Sequence, residues 1–414
     1  MKKIAESWKY PSILLFGIGI SNIGAWIYFI ALNLIVFNMT GSAFAVALLY
    51  IIRPLATLVT NFWGGSVIDR LNKKYFMIVL DTIQAVLIGS LAIVSSSLSM
   101  IYLLVFLISM ATSLYRPTSI TYLTKLIPTE QRQRFNSLRS LIDSGAFFIG
   151  PAVTGLLFVI GTPTTAIIIN AIAFLFSALV TLLMPNLEKN GTSDTPIKKL
   201  SFKLLKQDWK VVLKFSRQHL YVMTIYFLFS AFIVMQTALD SLEAAFSKEI
   251  LSLSDSDYGF LVSVAGAGIL VGAMINTLFA KKLSISHLIG LGSVIVSVGY
   301  IIYAFSDGFL IASVGFFVLS CANAFANTGF TTFYQNNIPV EVMGRVGSAY
   351  GLVEAFLVIV VTAVFGILAQ LVSIQFVVIG GAFIMLGLTI VLFTFNFRSI
   401  KPINIEVKGL ETFE

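Results

Sequence analysis

Five ionisable side chains stand inside long apolar runs of this sequence: Arg53, Asp81, Arg116, Asp143 and Glu354. A bare charge in hydrocarbon costs about 3 kcal/mol on insertion scales and more in other treatments, so each needs an opposite charge or a wet cavity beside it. The carboxyls can take up and release protons. The guanidiniums can hold a carboxylate or phosphate through two parallel hydrogen bonds. Asp143, Glu354 and Asp81 are therefore the candidate proton-coupling acids, and Arg53 and Arg116 are charge partners for them or anion-binding groups. Similar depth predicts the pairs Arg53 with Glu354 and Arg116 with Asp143. Arg139, one helical turn before Asp143, is a local alternative. Asp81, close after the basic Lys73-Lys74 pair, is expected to brace the loop before it.

Helices spanning a membrane must position these groups. The chain has 414 residues, 57% hydrophobic and 11% charged, whereas soluble domains carry about a quarter charged residues. Apolar runs of about 20 residues recur, which is the length a helix needs to cross the hydrocarbon layer. Barrel strands would instead alternate over about ten residues. The expected spans are 13–36, 43–62, 75–95, 100–123, 137–160 and 164–184, then 220–239, 258–279, 287–305, 308–334, 348–370 and 374–395. The fold class expected is all-α, with twelve transmembrane helices. By helix position Asn22, Trp26, Tyr28, Gln236 and Asp240 are candidate cavity linings, and Asp240 has a second reading as a solvated boundary residue. The lone Cys321 and the distant His219 and His287 provide no metal site and no disulfide. No nucleophile-base arrangement or phosphate-cradling loop appears, so neither an enzyme nor a cofactor is expected.

Positive charge sets the orientation. Of 27 Lys and Arg, all but Arg53, Arg116 and Lys248 fall in the amino terminus, the even-to-odd loops and the carboxyl tail. By the positive-inside rule both termini are cytoplasmic, in a bacterial-type inner membrane. The net charge of +8 is then an orientation signal facing anionic lipid, with no nucleic-acid footprint. The segment from Ile127 to Ser137 repeats at Ile338 to Ser348, matching at Ile127, Pro128, Glu130, Arg134 and Ser137 with an offset of 211 residues, near half the chain. The same offset carries Asp143 onto Glu354. Duplication of a six-helix unit accounts for this and places a substrate site between the halves. The expected divisions are a first bundle over 1–184, a cytoplasmic linker with an interfacial helix over 185–219, a second bundle over 220–396 and a tail over 397–414.

Two motifs carry a family resemblance. Gly64-Gly65-Ser66-Val67-Ile68-Asp69-Arg70-Leu71-Asn72-Lys73-Lys74 resembles the signature between the second and third helices of the major facilitator superfamily. Gly64, Gly65, Asp69, Arg70, Lys73 and Lys74 form its gating loop, and Asn72 stands where the family usually has Gly; Asn tolerates left-handed backbone. In the fifth span Gly150-Pro151-Ala152-Val153-Thr154-Gly155 is similar to part of the antiporter motif of drug-efflux members, with Thr154 in place of one Gly. Its alternative role is close helix packing. With Ser21-Asn22-Ile23-Gly24 and Thr40-Gly41-Ser42-Ala43, the chain looks like the drug and macrolide efflux branch. The resemblance implies two pseudo-symmetric bundles, alternating access, and a monomer that exports an amphipathic small molecule by proton antiport, powered by the proton gradient. An anionic metabolite, siderophore or lysolipid is the alternative cargo.

Overall fold

The computed structural model describes residues 8–94, 97–127, 129–187, 202–279 and 283–397. Among them every regular element is helical. The first half runs α1 (Lys9–Thr40), α2 (Ala43–Arg70), α3 (Lys73–Ile93), α4 (Leu98–Leu126), α5 (Thr129–Ile160) and α6 (Pro163–Leu182). After α7 (Phe202–Gln218) come α8 (Leu220–Asp240), α9 (Glu243–Glu249), α10 (Asp255–Phe279), α11 (Ile285–Ala304), α12 (Phe309–Asn337), α13 (Val340–Leu371) and α14 (Ile374–Phe397). Among the described residues twelve stretches are long and apolar enough to cross a membrane. The side chains of Gly64, Gly65, Asp69 and Arg70 lie outside those described, as do residues 188–201 of the expected linker and 398–414 of the tail.

Helices form here because hydrocarbon gives the backbone no other hydrogen-bond partner. Their ends fall where side chains satisfy the first free N–H groups: Thr162 before α6 accepts from Thr165 N at 3.4 Å, and Ser284 before α11 accepts from His287 N at 3.3 Å. Asn72 is a cap of the same kind. Its backbone is extended, with φ −64° and ψ 117°, so the left-handed turn expected there is absent. The Asn72 side chain accepts from Tyr75 N at 3.4 Å and donates to Asn186 Oδ1 at 2.9 Å. Large apolar side chains face outward, as Leu310 (80% exposed) and Phe376 (70%) do.

The duplication seen in the sequence recurs in the helices. α4 and α12 start and end 211 residues apart, and so do α5 and α13. In the first half α1 packs on α5 and α6, α2 on α4, and α3 on α4 and α6. In the second half α8 packs on α13 and α14, α10 on α12, and α11 on α12 and α14. Exchanging each span for the one six later turns the first pattern into the second. The halves meet mainly through α5 with α10 and α2 with α13, two contacts that the same exchange interconverts.

Candidate functional site

Two cavities adjoin near the axis of the bundle. The first, of about 370 Å³, lies within the first half, with Tyr28 and Phe29 of α1, Arg53 and Thr57 of α2, Gln84 of α3 and Ser113 of α4 in its walls. The second, of about 240 Å³, lies between the halves: Tyr50 faces Gln236, Asp240, Glu243, Tyr300 and Asn323 across it. Trp26 and Phe29 belong to both. Their rings meet edge to face at 5.7 Å, and a second aromatic contact of 5.7 Å joins Phe29 to Tyr50.

The charges separate between the cavities. Arg53 lies with its guanidinium carbon 4.5 Å from the centre of the Phe29 ring. Among the described residues no acid stands within ion-pair distance of it, so the expected pair with Glu354 is not formed. Depth along a helix, which the sequence gives, does not fix the direction a side chain faces. Beside Arg53, the hydroxyls of Thr57 and Ser113 are 2.9 Å apart and Thr112 donates to Gln84 Oε1 at 2.8 Å. The Tyr28 hydroxyl is buried without a hydrogen-bond partner among the described residues.

In the second cavity Asp240 accepts a hydrogen bond from the Tyr300 hydroxyl. Glu243 follows three residues later, across a break in the seventh span. There the backbone tightens, Leu242 N donating to Leu239 O at 3.0 Å, before α9 carries the same span on to Glu249. Asp240 is therefore part of a cavity wall rather than a solvated boundary. Glu243 escaped sequence reasoning because the apolar run ends visibly at Asp240. The Ala244-Ala245-Phe246 stretch after it was the available signal.

The other candidates are dispersed. Asp143 is half-exposed, accepts from Asn22 Nδ2 at 2.5 Å and has Arg139 Nε at 4.0 Å, the local alternative to Arg116. Arg116 is exposed and without an ion pair among the described residues. Asn22 thus serves Asp143 and is not in either cavity wall. Glu354 is half-buried and has no ion-pair partner among the described residues. Asp81 is buried, 1% exposed, and accepts from Ser177 Oγ at 2.8 Å, linking α3 to α6. Lys73 Nζ donates to Leu71 O and Lys74 Nζ to Leu182 O, each at 2.9 Å, tying the loop before α3 to its surroundings.

The antiporter-like motif lies on packing surfaces. A Cβ on Gly150 would come within 2.5 Å of Trp26 Cβ, and one on Gly259 within 2.8 Å of Gly155 Cα. Pro151 is buried, and its carbonyl is 3.2 Å from that same position on Gly259. Ser263 Oγ donates to Phe148 O at 3.1 Å across the same α5–α10 seam. Where α1 ends, Asn38 Nδ2 donates to Asp255 Oδ2 at 3.2 Å, while Lys248 Nζ holds the other oxygen at 2.5 Å. Gln370 at the end of α13 donates to Ser42.

Two six-helix bundles related by internal symmetry, with a polar-walled cavity at their junction, define a multi-pass membrane transporter of the two-bundle type. The family model of the Major Facilitator Superfamily matches residues 14–362. The chain belongs to that superfamily, whose members are transporters rather than enzymes. It is 26% identical over 397 residues to YfiS of Bacillus subtilis (strain 168), an uncharacterized MFS-type transporter, over 94% of each chain. Among solved structures it is similar to the nucleoside transporter NupG, with a TM-score of 0.74 and 16% identity over 94% of this chain and all of that one (100%). A bacterial homologue of the iron transporter ferroportin, in an inward-facing state, superposes with a TM-score of 0.69 and 16% identity, over 95% and 100% of the two chains. Identities this low speak for the fold alone.

Proposed function

We propose that this protein exports an amphipathic small molecule in exchange for protons, by alternating access, from a bacterial-type inner membrane in which both termini are cytoplasmic. The observation that carries this reading is the second cavity. Its walls come from both halves and hold Asp240 and Glu243, with no cation within ion-pair distance among the described residues. Two carboxylates three positions apart without a counter-ion in a low-dielectric wall are costly, and a proton removes one of the charges. A rocking motion of the halves changes the water that such acids see, which is what coupling to a proton gradient requires. Asp143 and Glu354, nearer the charged loops, extend the proton route toward the cytoplasm. The antiporter-like motif at the α5–α10 seam supports the direction of export.

The test is transport in proteoliposomes under an imposed pH gradient, with ethidium, erythromycin and pyrenebutyrate as probes. At least one probe is expected to accumulate against its gradient, and nigericin, which collapses the pH difference, is expected to stop it. Movement of no probe, or movement indifferent to nigericin, overturns the proposal.

A further inference from the structure

Arg53 is a fixed cation inside a membrane-spanning segment, and the acids of the second cavity are not its counter-ions. Its guanidinium lies over the face of Phe29. That stacking holds the plane of the fork and leaves the N–H edge for another partner. Tyr28, in the wall of the same cavity, is 7% exposed, and its hydroxyl is buried without a partner among the described residues. A planar cation and the Thr57 and Ser113 hydroxyls thus share one cavity. Gln84, Ser109 and Thr112 add polar groups to the walls, and Ile88, Val105, Ile108 and Phe174 line them with apolar surface.

We propose that Arg53 forms an anion-binding subsite, and that the cargo is an amphipathic organic anion: a carboxylate or phosphate ester joined to an aromatic or aliphatic body. This rests on reading the cavities as the cargo's route and names the class of molecule that travels it. The anion takes the guanidinium edge. The apolar body lies against Phe174, Val105 and Ile108. Asp240 and Glu243, beyond Trp26 and Phe29, stay free to carry protons.

Equilibrium binding tests this with no gradient imposed, so its failure is separable from failure of proton exchange. The protein in phosphatidylcholine nanodiscs is titrated with pyrenebutyrate and with its uncharged methyl ester. The acid is expected to bind about 10-fold more tightly than the ester, a ratio that one charge-assisted bidentate contact supports. Arg53→Gln is expected to erase that preference while ester binding persists, and Arg53→Lys to keep part of it. Thermal unfolding of each variant checks that the fold survives, and Arg53→Lys serves as the comparison should Arg53→Gln not fold. Equal binding of acid and ester to the unaltered protein, or an acid preference that outlives Arg53→Gln, overturns the assignment. So does displacement of the probe by phosphatidylglycerol beyond what empty phosphatidylglycerol discs account for, since the occupant is then a lipid headgroup.

Discussion

Asp240, Glu243, Asp143 and Asp81 are all membrane-embedded acids, yet their surroundings assign them different work. Asp81 is sealed, with the Ser177 hydroxyl as donor, and joins two helices of one half. Replacing it by Ala leaves that hydroxyl buried without an acceptor, and the expected loss is about 1–3 kcal/mol of stability. A thermal unfolding curve in detergent reads this as a lowered Tm, and a Tm equal to that of the unaltered protein refutes it. Asp240 and Glu243 touch a cavity shared by both halves. Glu243→Gln and Asp240→Asn are each expected to lower gradient-driven flux by about 100-fold, the scale of a lost proton-transfer group. Downhill exchange of the same probe continues, because the cavity is unchanged in shape. Full gradient-driven flux in both variants counts against the acids as carriers of the exchanged proton. The sequence made part of this site visible: Trp26, Tyr28, Gln236 and Asp240 are in the cavity walls, and their helix assignment alone pointed there. Glu243 was hidden because hydropathy sees Asp240 and Ser241 as the end of a span, whereas the helix breaks only at Ser241 and Leu242 and resumes at Glu243.

Helix-scale order was far more legible. The spacing of apolar runs depends only on the thickness of hydrocarbon, and the repeat at Ile127 and Ile338 already carried the offset that α5 and α13 obey. What a linear pattern does not hold is azimuth. Arg53 and Glu354, expected at one depth, form no ion pair, and Arg116, close enough to act on Asp143 electrostatically, leaves the ion-pair contact to Arg139. Glycine is where azimuth leaves a trace, because only close backbones require it. Gly155 and Gly259 meet at the α5–α10 seam, where a Cβ on Gly259 would lie 2.8 Å from Gly155 backbone atoms. Gly259→Val is therefore expected to force the halves apart at a cost of about 1–3 kcal/mol, as overpacking does. Gly145→Ala, on α5 with nothing within 4 Å of the added Cβ, is expected to be neutral. Tm values for the pair, with flux measured alongside, decide it: equal losses in both variants would mean that the seam is not tightly apposed.

At the scale of the whole molecule, two hydrogen bonds between the halves gather at one end of the bundle, beyond the Ser263–Phe148 bond of the α5–α10 seam. There Asn38 reaches Asp255, Gln370 reaches Ser42, and Lys248 steadies Asp255. Under the proposed orientation this is the outer end, so the structure is closed outward. Hydrogen bonds of this kind contribute only about 0.5–1.5 kcal/mol each, and a handful of them biases the two conformations without freezing either. That balance suits a transporter, since a seam much stronger would hold one state. Joining Asn38→Cys to Asp255→Cys with a bismaleimide, in a Cys321→Ser background, makes the seam permanent. Flux is expected to stop in the linked protein. The same double variant treated with a monofunctional maleimide is expected to keep transporting, which separates the link from the modification. Transport that persists at full rate in the linked protein would show that the halves need not part between α1 and α10, and would remove alternating access through this end.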